Sequence, residues 1–243
     1  MIELFTITSG DHTLSGLFTV PEGPGPFPCV ALSHGLVSSK ESSKWVYLAE
    51  LLLTKGMASC RFDYHGCGES GGDISETSLT IRVRDLESIL DHLFSRPAVD
   101  NTKMGILGSS FGGATALVEA AKNPGIRCVA LWATPYMLDA KKDESIDGIA
   151  FRPLIYEDFS TYDLLAEARK VSRGLVIHGE QDEVVPALEG RAIYEHLAMP
   201  KQFELITGAD HTFTEPAHRE RAAEVSLAWM ERYLCGGSSS SKS

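Results

Sequence analysis

Basic residues are in short supply: of 243 residues, 22 are Lys or Arg and 33 are Asp or Glu, a formal net charge of −11, with a pI of about 5.2. A nucleic-acid binder needs a cationic face for phosphates, and this balance argues against that class. Long apolar runs are missing as well. No stretch approaches the roughly 18 consecutive apolar residues of a membrane helix, and the opening Met1-Ile2-Glu3-Leu4 has neither the basic stretch nor the apolar core of a signal peptide. The expectation is a soluble, cytoplasmic protein with no membrane and no nucleic-acid partner. Its five cysteines (Cys29, Cys60, Cys67, Cys128 and Cys235) are scattered without a C-x-x-C pair, which argues against a disulfide framework. Three of them lie in apolar runs, where a free thiol acts as a small buried hydrophobe. No H-E-x-x-H run is present, and His178-x-Glu180-x-Asp182 reads as a strand entering a loop rather than a metal site. No metal and no cofactor is expected.

What remains is an ordinary globular composition, 43% hydrophobic and 23% charged, without internal repeats. The first twenty residues alternate in the strand manner on either side of Ser9-Gly10-Asp11, which predicts an antiparallel hairpin. Beyond the Pro/Gly loop at 21–26, short apolar runs predict strands at Cys29–Ser33, Ala58–Phe62, Met104–Leu107, Cys128–Trp132, Leu175–His178 and Phe203–Ile206. Helical stripes lie between them, at Trp45/Leu48/Leu51/Leu52, Val83/Leu86/Leu90/Leu93 and Ala114/Leu117/Val118/Ala121, and a last helix runs from about Glu215 to Tyr233. This alternation predicts an α/β fold: a mostly parallel twisted sheet with helices on both faces. Residues 1–134 and 171–235 form the expected core. Residues 135–170, with the acidic run Asp139–Glu144 and scattered aromatics, are too long for an ordinary connection and are expected to be a short cap or lid insertion. Residues 236–243 have the composition of a disordered linker.

The sharpest chemical signal is Gly108-Ser109-Ser110-Phe111-Gly112, a G-x-S-x-G between a predicted strand and a predicted helix. Such a turn lifts its serine above the carboxyl edge of the sheet and leaves no room for side chains at the glycines. A serine hydroxyl is a poor nucleophile and needs a base that a third group orients. After an elbow of this kind the chain order is acid, then histidine. His178, His196, His211 and His218 follow Ser110, and His211, in a loop after the last strand, is the candidate base. Asp182, in the acidic loop after Leu175–His178, is the candidate acid, with Glu180 as main competitor and Glu183 and Asp210 as lesser ones. Two backbone amides must face the developing oxyanion. Phe111 follows the nucleophile, and Leu36 lies in the His34-Gly35-Leu36 loop after an earlier strand, where Gly35 is expected to supply the turn. His34 itself is read as structural.

Taken together, the His34-Gly35 loop, Arg61-Phe62-Asp63-Tyr64-His65-Gly66-Cys67-Gly68-Glu69-Ser70, the Ser110 elbow, Asp182 and His211 resemble the α/β-hydrolase superfamily. More narrowly they resemble small bacterial serine carboxylesterases related to cinnamoyl and feruloyl esterases, and the serine-aminopeptidase-like hydrolases. The resemblance implies a structural role for Arg61, Asp63, Gly66, Gly68 and Ser70. It also implies two-step acyl transfer on a small-molecule ester of a small to medium, or aromatic, acyl group. Tyr136, Phe151, Tyr156 and Phe159, with Gly35, are the candidate substrate-binding residues. A peptidase, thioesterase or acyltransferase with the same triad, or a hydrolase-fold receptor with little turnover, are the alternatives. The oligomeric state stays open, a homodimer being one candidate.

Overall fold

The computed structural model describes residues 1–138, 149 and 151–236. Its eight strands are β1 (Ile2–Ser9), β2 (His12–Thr19), β3 (Phe27–Ser33), β4 (Ala58–Phe62), β5 (Val99–Ser109), β6 (Ile126–Trp132), β7 (Gly174–Gly179) and β8 (Lys201–Ile206). They form one sheet in the order β1-β2-β4-β3-β5-β6-β7-β8. The β1–β2 and β2–β4 pairings are antiparallel, and all pairings from β4 through β3 to β8 are parallel. This is the expected α/β-hydrolase architecture with its N-terminal hairpin. The helices are α1 (Ser43–Thr54), α2 (Leu79–Phe94), α3 (Phe111–Lys122), α4 (Leu154–Ser160), α5 (Leu164–Ala168), α6 (Ala187–His196) and α7 (Pro216–Met230).

Two apolar layers sandwich the sheet because strand side chains alternate between its faces. Cys29 and Ala31 of β3 join the layer under α2 and α3, whereas Val30 and Leu32 join the layer under α1 and α7. Val83, Leu86, Leu90 and Leu93 of α2 are all buried, as the stripe requires. Helices α4 and α5 lie within residues 135–170 and bury Ile155, Phe159, Leu164 and Ala168 in the α2/α3 layer. The acidic run at 139–144 and the tail at 237–243 lie outside the described residues. The last helix ends sooner than its sequence stripe: α7 stops at Met230 and a single wider turn carries the chain over Glu231–Cys235. Strand β5 is longer than the apolar run Met104–Leu107, because backbone pairing with β3 and β6 continues under polar side chains. Cys29, Cys60, Cys67 and Cys128 are buried free thiols and Cys235 is exposed.

The turn after β4 is tied to the loop after β3 by one buried carboxylate. Asp63 Oδ1 accepts from the Lys40 amide at 2.6 Å, and Oδ2 accepts from Lys40 Nζ at 2.6 Å and the Glu69 amide at 3.0 Å. Gly68, at φ +51°, makes room for it: a β-carbon there would lie 2.2 Å from Asp63 Oδ2. Removing the carboxylate would leave buried Lys40 Nζ with only the exposed Glu69 carboxylate, 2.6 Å away, and take the acceptor from the Lys40 and Glu69 amides, a loss of about 3–5 kcal/mol on the scale of a broken buried ion pair. Asp63→Ala should therefore lose stability on that scale in urea unfolding, whereas an exposed carboxylate variant such as Glu50→Ala should stay within about 0.5 kcal/mol of the parent.

Candidate active site

Each of the three predicted chemical groups leaves the carboxyl edge of a different parallel strand. Ser110 follows β5 and opens α3 at φ 55° and ψ −127°, a conformation that a non-glycine residue adopts only when its surroundings impose it. Here they do. The Ser110 amide donates to Trp132 O at 2.8 Å, and the Ser110 carbonyl accepts from the Gly113 and Ala114 amides at 2.8 and 3.2 Å. A β-carbon on Gly108 would lie 2.4 Å from Gly112 O, and one on Gly112 would lie 2.2 Å from His34 O. The two motif glycines are thus demanded by close packing of strand, elbow and helix.

The structure brings Ser110, His211 and Asp182 together although they lie up to 101 residues apart in sequence. Ser110 Oγ donates to His211 Nε2 at 3.0 Å, and His211 Nδ1 donates to Asp182 Oδ2 at 2.8 Å. The other carboxylate oxygen, Oδ1, accepts from the Val184 and Val185 amides at 3.0 and 2.8 Å, so Asp182 is oriented by its own loop. Burial alone would raise this carboxyl, but the hydrogen bonds from His178, His211 and Val185 hold it well below the usual carboxylate range. Two of its competitors are engaged elsewhere: Glu180 accepts from the Gly208 amide and Asp210 from the Thr214 amide. His196 donates back to Ala192 O within α6.

Around this centre, the His34-Gly35-Leu36 loop passes directly beside the nucleophile. Gly35 is not in a left-handed conformation. A β-carbon there would sit 3.5 Å from Ser110 Cβ, an ordinary van der Waals contact, so the loop passes beside the nucleophile without excluding a side chain. Among the described backbone hydrogen bonds, none outside helices and strands is donated by the Leu36 or Phe111 amide. Of the four aromatic candidates, Phe159 is buried and packs on Phe111 with ring centroids 5.5 Å apart. Tyr136, Phe151 and Tyr156 are half-buried against the same layer. Tyr136 and Phe159 line a cleft of about 390 Å³ with Met137, Leu138, Tyr162 and Leu164. Among the described residues, no group of three or more His, Cys, Asp or Glu is arranged to hold a metal, and no helix is long and apolar enough to cross a membrane.

Residues 46–237, which include Ser110, Asp182 and His211, match the Prolyl oligopeptidase family. The chain belongs to that family. A 2,6-dihydropseudooxynicotine hydrolase from Paenarthrobacter nicotinovorans is 33% identical over 190 residues, covering 74% of this chain and 44% of that protein. A Mycobacterium tuberculosis protein provisionally named a phosphoribosyl transferase is 27% identical over 232 residues, covering 95% of this chain and 46% of its own length. The chain thus spans about half the length of these two relatives. Among solved structures, Est1E from Butyrivibrio proteoclasticus with ferulic acid bound superimposes with a TM-score of 0.85 at 20% identity, over 96% of this chain and all of that one. The fold is that of the α/β hydrolases.

Three side chains that sequence reasoning did not assign to the site support it. His178, fully buried at the end of β7, donates from Nε2 to Val185 O at 2.9 Å, with Asp182 Oδ2 at 3.2 Å. Gly190 of α6 lies so close that a β-carbon would meet His178 Nδ1 at 2.2 Å. The only sequence signal was its spacing of four from Asp182. Arg82, fully buried in α2, reaches the His34–Leu36 loop and gave no signal, since its stripe reads as ordinary core. Lys44 of α1 donates from Nζ to Ser109 Oγ at 2.9 Å, beside the nucleophile, and burial pulls its ammonium down to about 8.

His34 is structural, with both ring nitrogens used: Nδ1 donates to Gly35 O at 2.7 Å and Nε2 accepts from the Tyr64 amide at 3.1 Å. Burial, reinforced by the nearby Arg82 charge, pulls its pKa down to about 3. A histidine depressed in the folded state binds its proton first in the unfolded chain. Its contribution is therefore complete above about pH 6.5 and is lost as the pH falls towards 3, at about 1.4 kcal/mol per pH unit. Urea unfolding between pH 8 and 4 should show this slope in the parent, and the gap between parent and His34→Gln should narrow as the pH falls.

Proposed function

We propose that the protein is a serine carboxylesterase that forms an acyl-enzyme on Ser110. The observation that carries this reading is the unbroken hydrogen-bond chain from Ser110 Oγ through His211 to Asp182, set on a backbone that holds the serine in a strained turn. In this reading Ser110 Oγ bonds to the ester carbonyl carbon while its proton passes to His211 Nε2. Asp182 keeps the imidazole in the tautomer whose lone pair faces the serine and stabilises the imidazolium. The Leu36 and Phe111 amides receive the oxyanion. His211 then returns the proton to the departing alkoxide, and a water, deprotonated by the same imidazole, releases the acid and restores Ser110. No cofactor is required.

The cleft lined by Tyr136 and Phe159, whose walls also include Ser160, Thr161 and Asp163 but none of Ser110, Asp182 and His211, is the candidate seat for the acyl group of a small to medium or aromatic ester, its link to the nucleophile being Phe111, which packs on Phe159. Gly35, beside Ser110, leaves space for the scissile carbonyl. Similarity in fold to a protein solved with ferulic acid supports testing aromatic acids first. A peptidase reading is kept because of the family match. The transferase name of the mycobacterial relative belongs to a protein more than half of which lies outside this chain.

An ester series from acetyl to octanoyl, with methyl ferulate, methyl cinnamate and an aminoacyl amide, should show ester turnover above amide turnover; the reverse ranking would select the peptidase. Ser110→Ala should reduce kcat by on the order of 10⁴–10⁶, because the three groups act as a unit. Hydrolysis surviving that substitution would remove Ser110 from the mechanism. A fluorophosphonate should label the parent at Ser110 and leave Ser110→Ala unlabelled.

A further inference from the structure

Arg82 is completely buried, yet among the described residues no carboxylate pairs with it. A guanidinium in that position needs other acceptors, because an uncompensated buried charge is strongly unfavourable. It finds them in three consecutive backbone carbonyls. Nη1 donates to His34 O at 3.3 Å and to Gly35 O at 3.0 Å, and Nη2 donates to Leu36 O at 2.7 Å. Nε is held by Thr77 Oγ1 at 3.3 Å. The guanidinium carbon lies 4.6 Å from the Tyr64 ring centroid and 5.3 Å from that of Phe111, so the cation is stacked as well as hydrogen-bonded.

Peptide planarity gives this contact a directional consequence. In a trans peptide the carbonyl and the following N–H point in opposite directions. With Gly35 O turned to Arg82, the Leu36 N–H must face the other way, and the loop at Gly35 runs along Ser110. Without the guanidinium, Gly35 O would keep His34 Nδ1, 2.7 Å away, and Leu36 O would keep the weak Cys67 Sγ donor, 3.7 Å away, so the peptide planes would be held less tightly; a Gly35–Leu36 plane that turned would aim a carbonyl oxygen where the amide had been. The same guanidinium packs on the side chain of Phe111, whose amide is the second proposed donor.

We infer that Arg82 is a positioning residue whose fork to the His34, Gly35 and Leu36 carbonyls holds the Leu36 amide towards the oxyanion formed on Ser110. This rests on the acyl-transfer reading above. The interaction exists only once the carbonyl oxygen has become an oxyanion, so its loss acts on the transition state and spares ground-state binding.

The test compares the parent with Arg82→Lys, Arg82→Gln and Thr77→Val. Ester kinetics are normalised to sites titrated by fluorophosphonate, and inhibition is measured with an aryl trifluoromethyl ketone. Ser110 Oγ adds to that ketone's carbonyl carbon, its proton passes to His211, and the former carbonyl oxygen becomes an oxyanion. For the Arg82 variants the expected result is a kcat lower by about 10- to 100-fold with KM within about threefold, and ketone affinity weakened by the same factor as kcat. Lys should retain more activity than Gln, since it donates to fewer carbonyls. Thr77→Val removes only the acceptor of Nε and keeps the charge, so it decides the matter if neither Arg82 variant folds; a drop of about threefold in kcat and ketone affinity together is expected. Folded variants that lose thermal stability but keep parental kcat per titrated site and parental ketone affinity would overturn the inference and leave Arg82 a packing residue. A parent that neither turns over esters nor forms the ketone adduct would instead reject the acyl-transfer reading, and this inference with it.

Discussion

The backbone at Ser110 is held in a conformation it would not choose, and most of the structure near the site follows from the need to hold it there. Trp132 O grips the Ser110 amide, the first turn of α3 grips its carbonyl, and two glycines let β3, β5 and α3 approach within distances that a methyl group would forbid. Strain of this kind costs of order 1–3 kcal/mol and persists only where the surroundings over-determine it. The central parallel strands supply that rigidity. They are buried on both faces, so the elbow cannot relax without opening the core.

A parallel sheet also explains why the three groups meet. Every strand from β4 to β8 ends at the same edge, so loops far apart in sequence converge there. Asp182 then becomes the organising anion. It orders its own loop through Val184 and Val185, gathers two imidazoles, and stays ionised because hydrogen bonds outweigh the penalty of burial. On the opposite side, buried polar groups shape the neighbouring loops: Asp63 gathers Lys40 and the turn after β4, while Arg82 gathers the loop after β3. Carboxylate and guanidinium do the same physical work with opposite charge, each gathering several backbone groups of neighbouring loops.

Much of this was legible in the chain itself. Alternation of apolar runs and helical stripes located the hairpin, the six following strands and the principal helices, since period and burial are coupled wherever an element packs on one core. The elbow announced Ser110 because its chemistry demands a short, contiguous pattern. The order of acid and base narrowed the choice to Asp182 and His211 over Glu180, Asp210 and three other histidines; Asp182 keeps one oxygen on its own loop amides and turns the other to His211, whereas Glu180 and Asp210 bond the Gly208 and Thr214 amides. Edges of elements were less legible. Strand β5 extends under polar residues because ladder hydrogen bonds do not depend on side chains, and α7 widens into a different turn after Met230.

His178 and Arg82 mark the limit. Each sits in a run whose pattern is that of ordinary core, and their polar atoms acquire meaning only from partners on other elements: Val185 and Asp182 for one, three carbonyls beyond β3 for the other. That the loop at Gly35 passes beside Ser110 was likewise visible only once β3 and β5 were paired. Local sequence determined which segments are strands and helices, where the strained turn falls and which residue types could do chemistry, because those properties depend on neighbours within a few positions. Tertiary structure alone decided which carboxylate faces which imidazole and which buried cation orients which peptide plane. Those contacts are made between segments that are remote along the chain and become neighbours only when the sheet is assembled.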